Sequence, residues 1–393
     1  MPNKSSRSPL PFNPDVLRWA RSRADYTHKE VAEKIKATLQ QVIAWENLSA
    51  SPTVSQARKM AILYDRPFLE FFAKEIPDIE ETKLVPDFRM QRGSPINHEN
   101  RILKDVQAWG EMQRLNAIDL FELNGETPSV VPDALKASIT DNPEKVAGLA
   151  RMAIAFPIEQ QLRLRSQERG NLVKIIRSKL EQIGILIFKN SDLGKCKARG
   201  LCIYNEVLPI IVLSSEAPNG STFTLCHEFA HIILRQSAVS DGIIKKQNHT
   251  NDIEIWCNRF AGAFLIPQQT LAEFINPNRK LSEIADEELN NLANRFAVSR
   301  HAMLVRLVEL NIVEAEYYWQ IKRPQFLEEE AKKPGGGPPL YYGTRYRNRN
   351  GDMYTGLVLD AWSNNRISNH NAAEFMGIKN MTHLFDIRSH FND

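Results

Sequence analysis

The chain lacks any stretch approaching the roughly 20 uninterrupted apolar residues that a membrane-spanning helix needs. Its first residues, Met1-Pro2-Asn3-Lys4-Ser5, lack the apolar core of a signal peptide. Both absences lead us to expect a cytoplasmic protein without membrane association. Cysteine is scarce: Cys196, Cys202, Cys226 and Cys257 are the only four, and no two form a C-x-x-C pair. This argues against a disulfide framework and a cysteine-rich zinc knuckle, and predicts reduced, mostly buried thiols. A strong charge of one sign is also missing, because a formal net charge of +3 is too small to imply nucleic-acid binding by itself.

What is present is the composition of a globular protein, with 42% hydrophobic and 25% charged residues. A length of 393 residues predicts two or three domains. The basic surplus is uneven. Met1 to Lys74 hold 12 Lys/Arg against 7 Asp/Glu, a local excess of +5, at the end of the chain where phosphate contacts would be useful. There, short helices are predicted over Pro14–Ser22, Thr27–Ile35, Thr38–Glu46, Thr53–Tyr64 and Pro67–Lys74, each bounded by a polar cap or turn residue.

We expect an α+β protein: an all-α unit over 14–74, a mainly helical connecting region over 75–171 and an α+β domain over 172–313. A Gly/Pro linker over 333–340 then leads to a small, mainly helical C-terminal region over 341–393. Prolines 77, 86 and 95 punctuate the first connection, and helical patterning returns from His98 to about Leu123. An amphipathic helix from Leu172 ends at Gly184 and leads into the apolar run Ile185–Phe188. Leu201–Tyr204 and Pro209–Leu213 read as further strands, and from Ser221 the pattern is helical again. In the last segment, a helix carrying Ala372, Ala373 and Phe375 precedes Gly377 and another helical pattern, a second and weaker helix-turn-helix candidate.

The chemistry is carried by His227-Glu228-Phe229-Ala230-His231. Histidines four residues apart lie one turn apart on the same helix face and can bind one metal ion together. Glu228 lies beside that face, where its carboxylate can hold a water and take its proton as the water attacks a peptide carbonyl. A catalytic zinc needs a third protein ligand. It does not follow closely, because position 234 is Leu and position 237 is Ser, which departs from the extended H-E-x-x-H-x-x-G-x-x-H pattern. We choose Glu254, in the first turn of the next helix, whose Phe260, Phe264 and Leu265 are available for the core; Asp252 and His249 are competitors.

These residues resemble the ImmA/IrrE family of metallopeptidases, over roughly residues 172–313. Thr222–Leu234 is similar to that family's metal-binding helix, Glu254–Pro267 to its second one, and Leu292–Ser299 with Leu307 and Leu310 to its helical tail. The chain departs from the family at Cys257, where alanine is usual, and at Trp256, where a second acidic residue is frequent. The resemblance implies a gluzincin-like peptidase domain, with a small sheet packed on the H-E-x-x-H helix. It also implies zinc held by His227, His231 and Glu254, Glu228 as general base, and a helix-turn-helix repressor as the protein cleaved.

Residues 16–64 resemble the Cro/repressor-type (XRE) helix-turn-helix. In that likeness Thr27 caps the second helix and Thr38 caps the recognition helix, whose Leu39, Gln40 and Gln41 would face the major groove of operator DNA, where glutamine can pair with adenine. Lys36 stands where the family commonly has a turn glycine. Together these features predict a DNA-binding regulator with a zinc endopeptidase domain, able to read paired half-sites as a homodimer. The alternative is a non-enzymatic regulator of a stress, prophage or toxin/antitoxin module whose metal site is structural or sensory.

Overall fold

The computed structural model describes residues 12–24, 26–64, 66–77, 98–164, 168–214, 218–240, 252–332 and 341–391. These fall into two compact units, one holding the described residues up to 77 together with 98–104, the other running from Asp105 onward.

The first unit is helical. Helices α1 (Pro14–Arg23), α2 (His28–Ile35), α3 (Leu39–Glu46) and α4 (Val54–Leu63) are followed by a 3-10 turn, Phe68–Phe72. Thr27, Thr38 and Thr53 each accept a hydrogen bond from the backbone N–H three residues on, and the side-chain oxygens of Glu30, Gln41 and Gln56 accept one from the cap's own N–H. Three reciprocal capping boxes thus fix three helix starts. The apolar faces close on one core that includes Val16, Leu17, Val31, Ile35, Val42, Trp45, Met60 and Phe71. Within it Glu46 is buried, and Arg21 grips it in a two-pronged pair at 2.7 and 3.0 Å. Between α2 and α3 the chain turns at Lys36, in the left-handed region at φ 59° and ψ 49°.

The second unit is α+β. Its framework is α5 (His98–Asn124, shared with the first unit at its start), α6 (Pro143–Ala153), α7 (Leu172–Gln182), and strands β1 (Leu186–Lys189), β2 (Gly200–Ile203) and β3 (Ile210–Leu213). Then follow α8 (Pro218–Ile233), β4 (Ala238–Ser240), α9 (Asp252–Leu265), α10 (Asp286–Arg295) and α11 (Arg300–Glu309). The chain closes with α12 (Tyr342–Asn350), α13 (Asp352–Ser363), α14 (Asn369–Met376) and α15 (Thr382–Phe391). The helix Pro143–Ala153, capped by Asn142 with Pro143 at its first position, is signalled by the Asn-Pro pair but goes unnamed in the sequence reading. The short strand β4 is likewise unforeseen.

The sheet order is β1-β3-β2-β4, with β1 parallel to β3 and the other neighbours antiparallel. Central β3, Ile-Ile-Val-Leu, is buried throughout, as a strand covered on both faces must be. Ile187, Cys202, Ile211 and Leu213 join the core that contains α8 and α9. On alternate positions Ile203, Ile210 and Val212 meet Gly110 of α5, while Phe188 lies 5.4 Å from the rings of both Trp109 and Tyr354. Gly184, at φ 88°, ends the turn after α7, where a Cβ would come 2.0 Å from the Ser129 carbonyl oxygen.

The four C-terminal helices are tied to this unit by a buried polar pair on α7. Glu181 accepts hydrogen bonds from the Asp352 and Met353 amides at 2.9 and 3.1 Å, capping α13. Arg177 holds Glu181 at 3.0 Å and donates to the Asn348 and Ile187 carbonyls.

The left-handed Lys36 backbone carries a cost that glycine would avoid. Lys36→Gly should therefore raise the stability of the N-terminal unit by roughly 1 kcal/mol, measurable as a higher urea midpoint at unchanged slope. A lower midpoint would mean that the lysine side chain stabilises the turn by more than its backbone costs.

Candidate metal centre

Helix α8 carries His227, Glu228 and His231, all 2% exposed or less. It lies in the core because Leu225, Cys226, Phe229, Ala230, Ile232 and Ile233 bury the rest of its surface. Helix α9 packs on it through rings: Phe229 meets Phe260 at 5.9 Å and Phe264 at 6.3 Å, both edge-on. Trp256 stacks on Phe260 and donates its indole N–H to the Asp141 carbonyl at 2.8 Å.

The far end of α9 is buried as well, and a buried helix terminus needs partners for its last carbonyls. Arg151 of α6 donates to Phe264 O at 2.7 Å, Gln161 to Leu265 O at 2.9 Å, and Arg306 of α11 to Ile266 O at 3.0 Å. Three side chains from three segments thereby fix α9 along its axis, and with it Glu254 in the first turn.

Glu254 then faces both histidines. Its Oε2 is 3.3 Å from His227 Nε2, its Oε1 is 3.1 Å from His231 Nε2, and the two Nε2 atoms are 3.3 Å apart. His227, His231 and Glu254 form a cluster whose ligand atoms all lie within 4.8 Å of one another. Asp252 lies exposed on the first residue of α9 and is not part of it, while His249 falls outside the described residues.

The arrangement suits a cation. His227 Nδ1 is 3.0 Å from the Asn258 side-chain oxygen, so Nδ1 carries the hydrogen and Nε2 presents its lone pair to the cluster. His231 Nδ1 is 3.6 Å from the Cys257 sulfur. Glu254 Oε1 is buried yet accepts no hydrogen bond. Without a cation, a proton takes its place: burial disfavours charge on His227, but the Glu254 carboxylate outweighs this and lifts the His227 pKa to about 9. His231 goes the other way, its pKa lowered chiefly by burial. Burial also raises the Cys202 and Cys257 thiols, keeping both protonated and poor ligands.

The roles of Cys257 and Asn258 as neighbours of the two imidazoles are what the sequence reading missed. The signal was their position three and four residues after Glu254, on the same helix face. In the first unit, Thr27 and Thr38 stand at their helix starts, and Leu39, Gln40 and Gln41 are exposed. The Gln41 amide oxygen is engaged by the Thr38 N–H at 2.9 Å, which leaves Gln40 the unencumbered amide of the pair.

A family model described as Peptidase_M78, the IrrE N-terminal-like domain, matches residues 180–308, a span containing both metal-site helices. That segment is similar to the M78 peptidase domains of the IrrE kind. No curated protein and no solved structure matches the chain.

If the cluster binds a metal, dialysed protein should retain about one ion per chain, lost in His227→Ala and in Glu254→Ala. Asn258→Ala should bind about 10- to 100-fold more weakly. Because uptake must displace the His227 proton, affinity should rise with pH toward about 9 and level off above it, falling about tenfold per unit below. Isothermal titration in two buffers of different ionisation enthalpy reads the released proton, and pH-independent binding would contradict a His227 proton that the metal must displace.

Proposed function

We propose that the chain is a DNA-binding regulator with a zinc-dependent endopeptidase domain that cleaves a helix-turn-helix repressor or similar regulatory protein. The observation that carries the peptidase half is the convergence of His227, His231 and Glu254 next to Glu228, within the segment that matches the peptidase family model. In this reading His227 Nε2, His231 Nε2 and the Glu254 carboxylate hold the zinc. The ion, when bound, supplies Lewis-acid polarisation of the scissile carbonyl and lowers the pKa of water. Glu228 orients the attacking water, accepts its proton and delivers that proton to the leaving amine. Asn258 keeps His227 in the tautomer that leaves Nε2 free.

The DNA-binding half rests on α2 and α3, each opened by a capping box, with the start of α3 exposed. Thr27 and Thr38 fix the two helix starts, and Gln40 reads base edges in the major groove, with Gln41, whose amide oxygen is held by the Thr38 N–H, offering its NH2 group beside it. A homodimer on paired half-sites in the cytoplasm completes this picture.

A non-enzymatic reading, in which the metal is structural or sensory, is favoured by one observation: Glu228 is fully buried. A purely structural site has no use for a general base, so Glu228 separates the two. With host-cell extract as substrate and new protein N-termini as the readout, zinc-loaded wild type should generate cleavage products. Glu228→Gln should keep its zinc and lose about 100-fold or more of that activity. Equal cleavage by both, or by neither, would reject the peptidase role. For DNA, Gln40→Ala should weaken binding to a site selected from random duplexes by about 10- to 100-fold, whereas unchanged affinity would remove Gln40 from the interface.

A further inference from the structure

Gly200 opens β2, paired to Leu213 on one side and to Ser240 on the other, in the interior of the sheet. Glycine is disfavoured there, because a strand gains nothing from its extra freedom and loses a side chain to pack. Its backbone gives no reason for it either, since it is absent from the glycines with positive φ. The reason lies above it. A Cβ built on Gly200 would come 2.1 Å from Glu228 Oε1, 2.6 Å from its Cδ and 2.7 Å from its Cγ. All three nearest atoms belong to Glu228, which is fully buried and cannot swing out into solvent. Cys202, two residues along the same strand and on the same face, also feels the Glu228 charge.

We propose that Gly200 is the positioning residue for Glu228: the bare backbone of β2 is the floor on which the carboxylate lies, and any side chain at 200 would displace it from its place beside the histidines. This rests on the reading of Glu228 as the general base. It gives that reading a structural cause in a strand 28 positions upstream. None of the three atoms nearest to such a Cβ belongs to His227, His231 or Glu254.

The test is a double-mutant cycle on the full chain with Gly200→Ala, Glu228→Ala and the pair, read by thermal midpoint and by the visible spectrum of protein loaded with cobalt(II). Gly200→Ala should lower the midpoint by several degrees in the wild-type background and by much less beside Glu228→Ala, where the colliding carboxylate is gone. It should keep its cobalt, and its spectrum should move in the same direction as that of Glu228→Gln. If Gly200→Ala fails to fold, the double variant should restore folding. An equal midpoint loss in both backgrounds, an unfolded double variant, or a cobalt spectrum identical to wild type would overturn the proposal. Wild-type protein that takes up no cobalt would instead contradict the metal centre, while the thermal cycle would still decide whether Gly200 and Glu228 are coupled.

Discussion

The candidate site depends on the placement of α9 against α8. A helix is stiff, so fixing one end of α9 fixes the other, about 16 Å away over eleven residues. Its C-terminal carbonyls are bound by Arg151, Gln161 and Arg306, and its middle is wedged against α8 through Phe229, Phe260 and Phe264. Glu254 at the start of α9 is thereby carried to within 3.3 Å of both Nε2 atoms. Three acceptors brought together in a buried space repel one another unless a cation or proton lies between them. The packing outside the site therefore creates the electrostatic demand inside it.

The sheet supplies the other side of this arrangement. With β3 buried between β1 and β2, one face carries α8, and the opposite face meets Trp109 and Gly110 of α5 and, through Phe188, Tyr354 of α13. The C-terminal helices are therefore part of the packing around the sheet, held by Glu181 at the α13 N-terminus. The backbone of β2 approaches Glu228 closely, so sheet and helix define the carboxylate from opposite sides.

Much of this was legible in the sequence because it is periodic or local. The four-residue spacing of His227 and His231, the apolar run of β3, the threonine caps of α2 and α3 and the stop at Gly184 each depend on neighbours a few residues away. The sequence already favours Glu254 over Asp252, and the helix shows the difference between them: Glu254 faces the two histidines while Asp252 is exposed. The spacing of Cys257 and Asn258 from Glu254 marks a shared helix face, but which imidazole each one meets depends on the distance between two helices. The same holds for Gly200, whose meaning lies 28 positions away, and for β4, three residues long and visible only as a partner of β2. Arg151, Gln161 and Arg306 look like surface residues by type and become intelligible only once the buried end of α9 is seen.

The central claim is the identity of the atoms around the metal, and X-ray absorption at the zinc edge of the loaded full-length protein addresses it most directly. The account predicts a shell of nitrogen and oxygen scatterers at about 2.0–2.2 Å, with imidazole outer-shell features and no sulfur. A sulfur shell at about 2.3 Å would mean that Cys257 or Cys202 had entered the coordination sphere, and the account of a His227, His231 and Glu254 centre would be wrong.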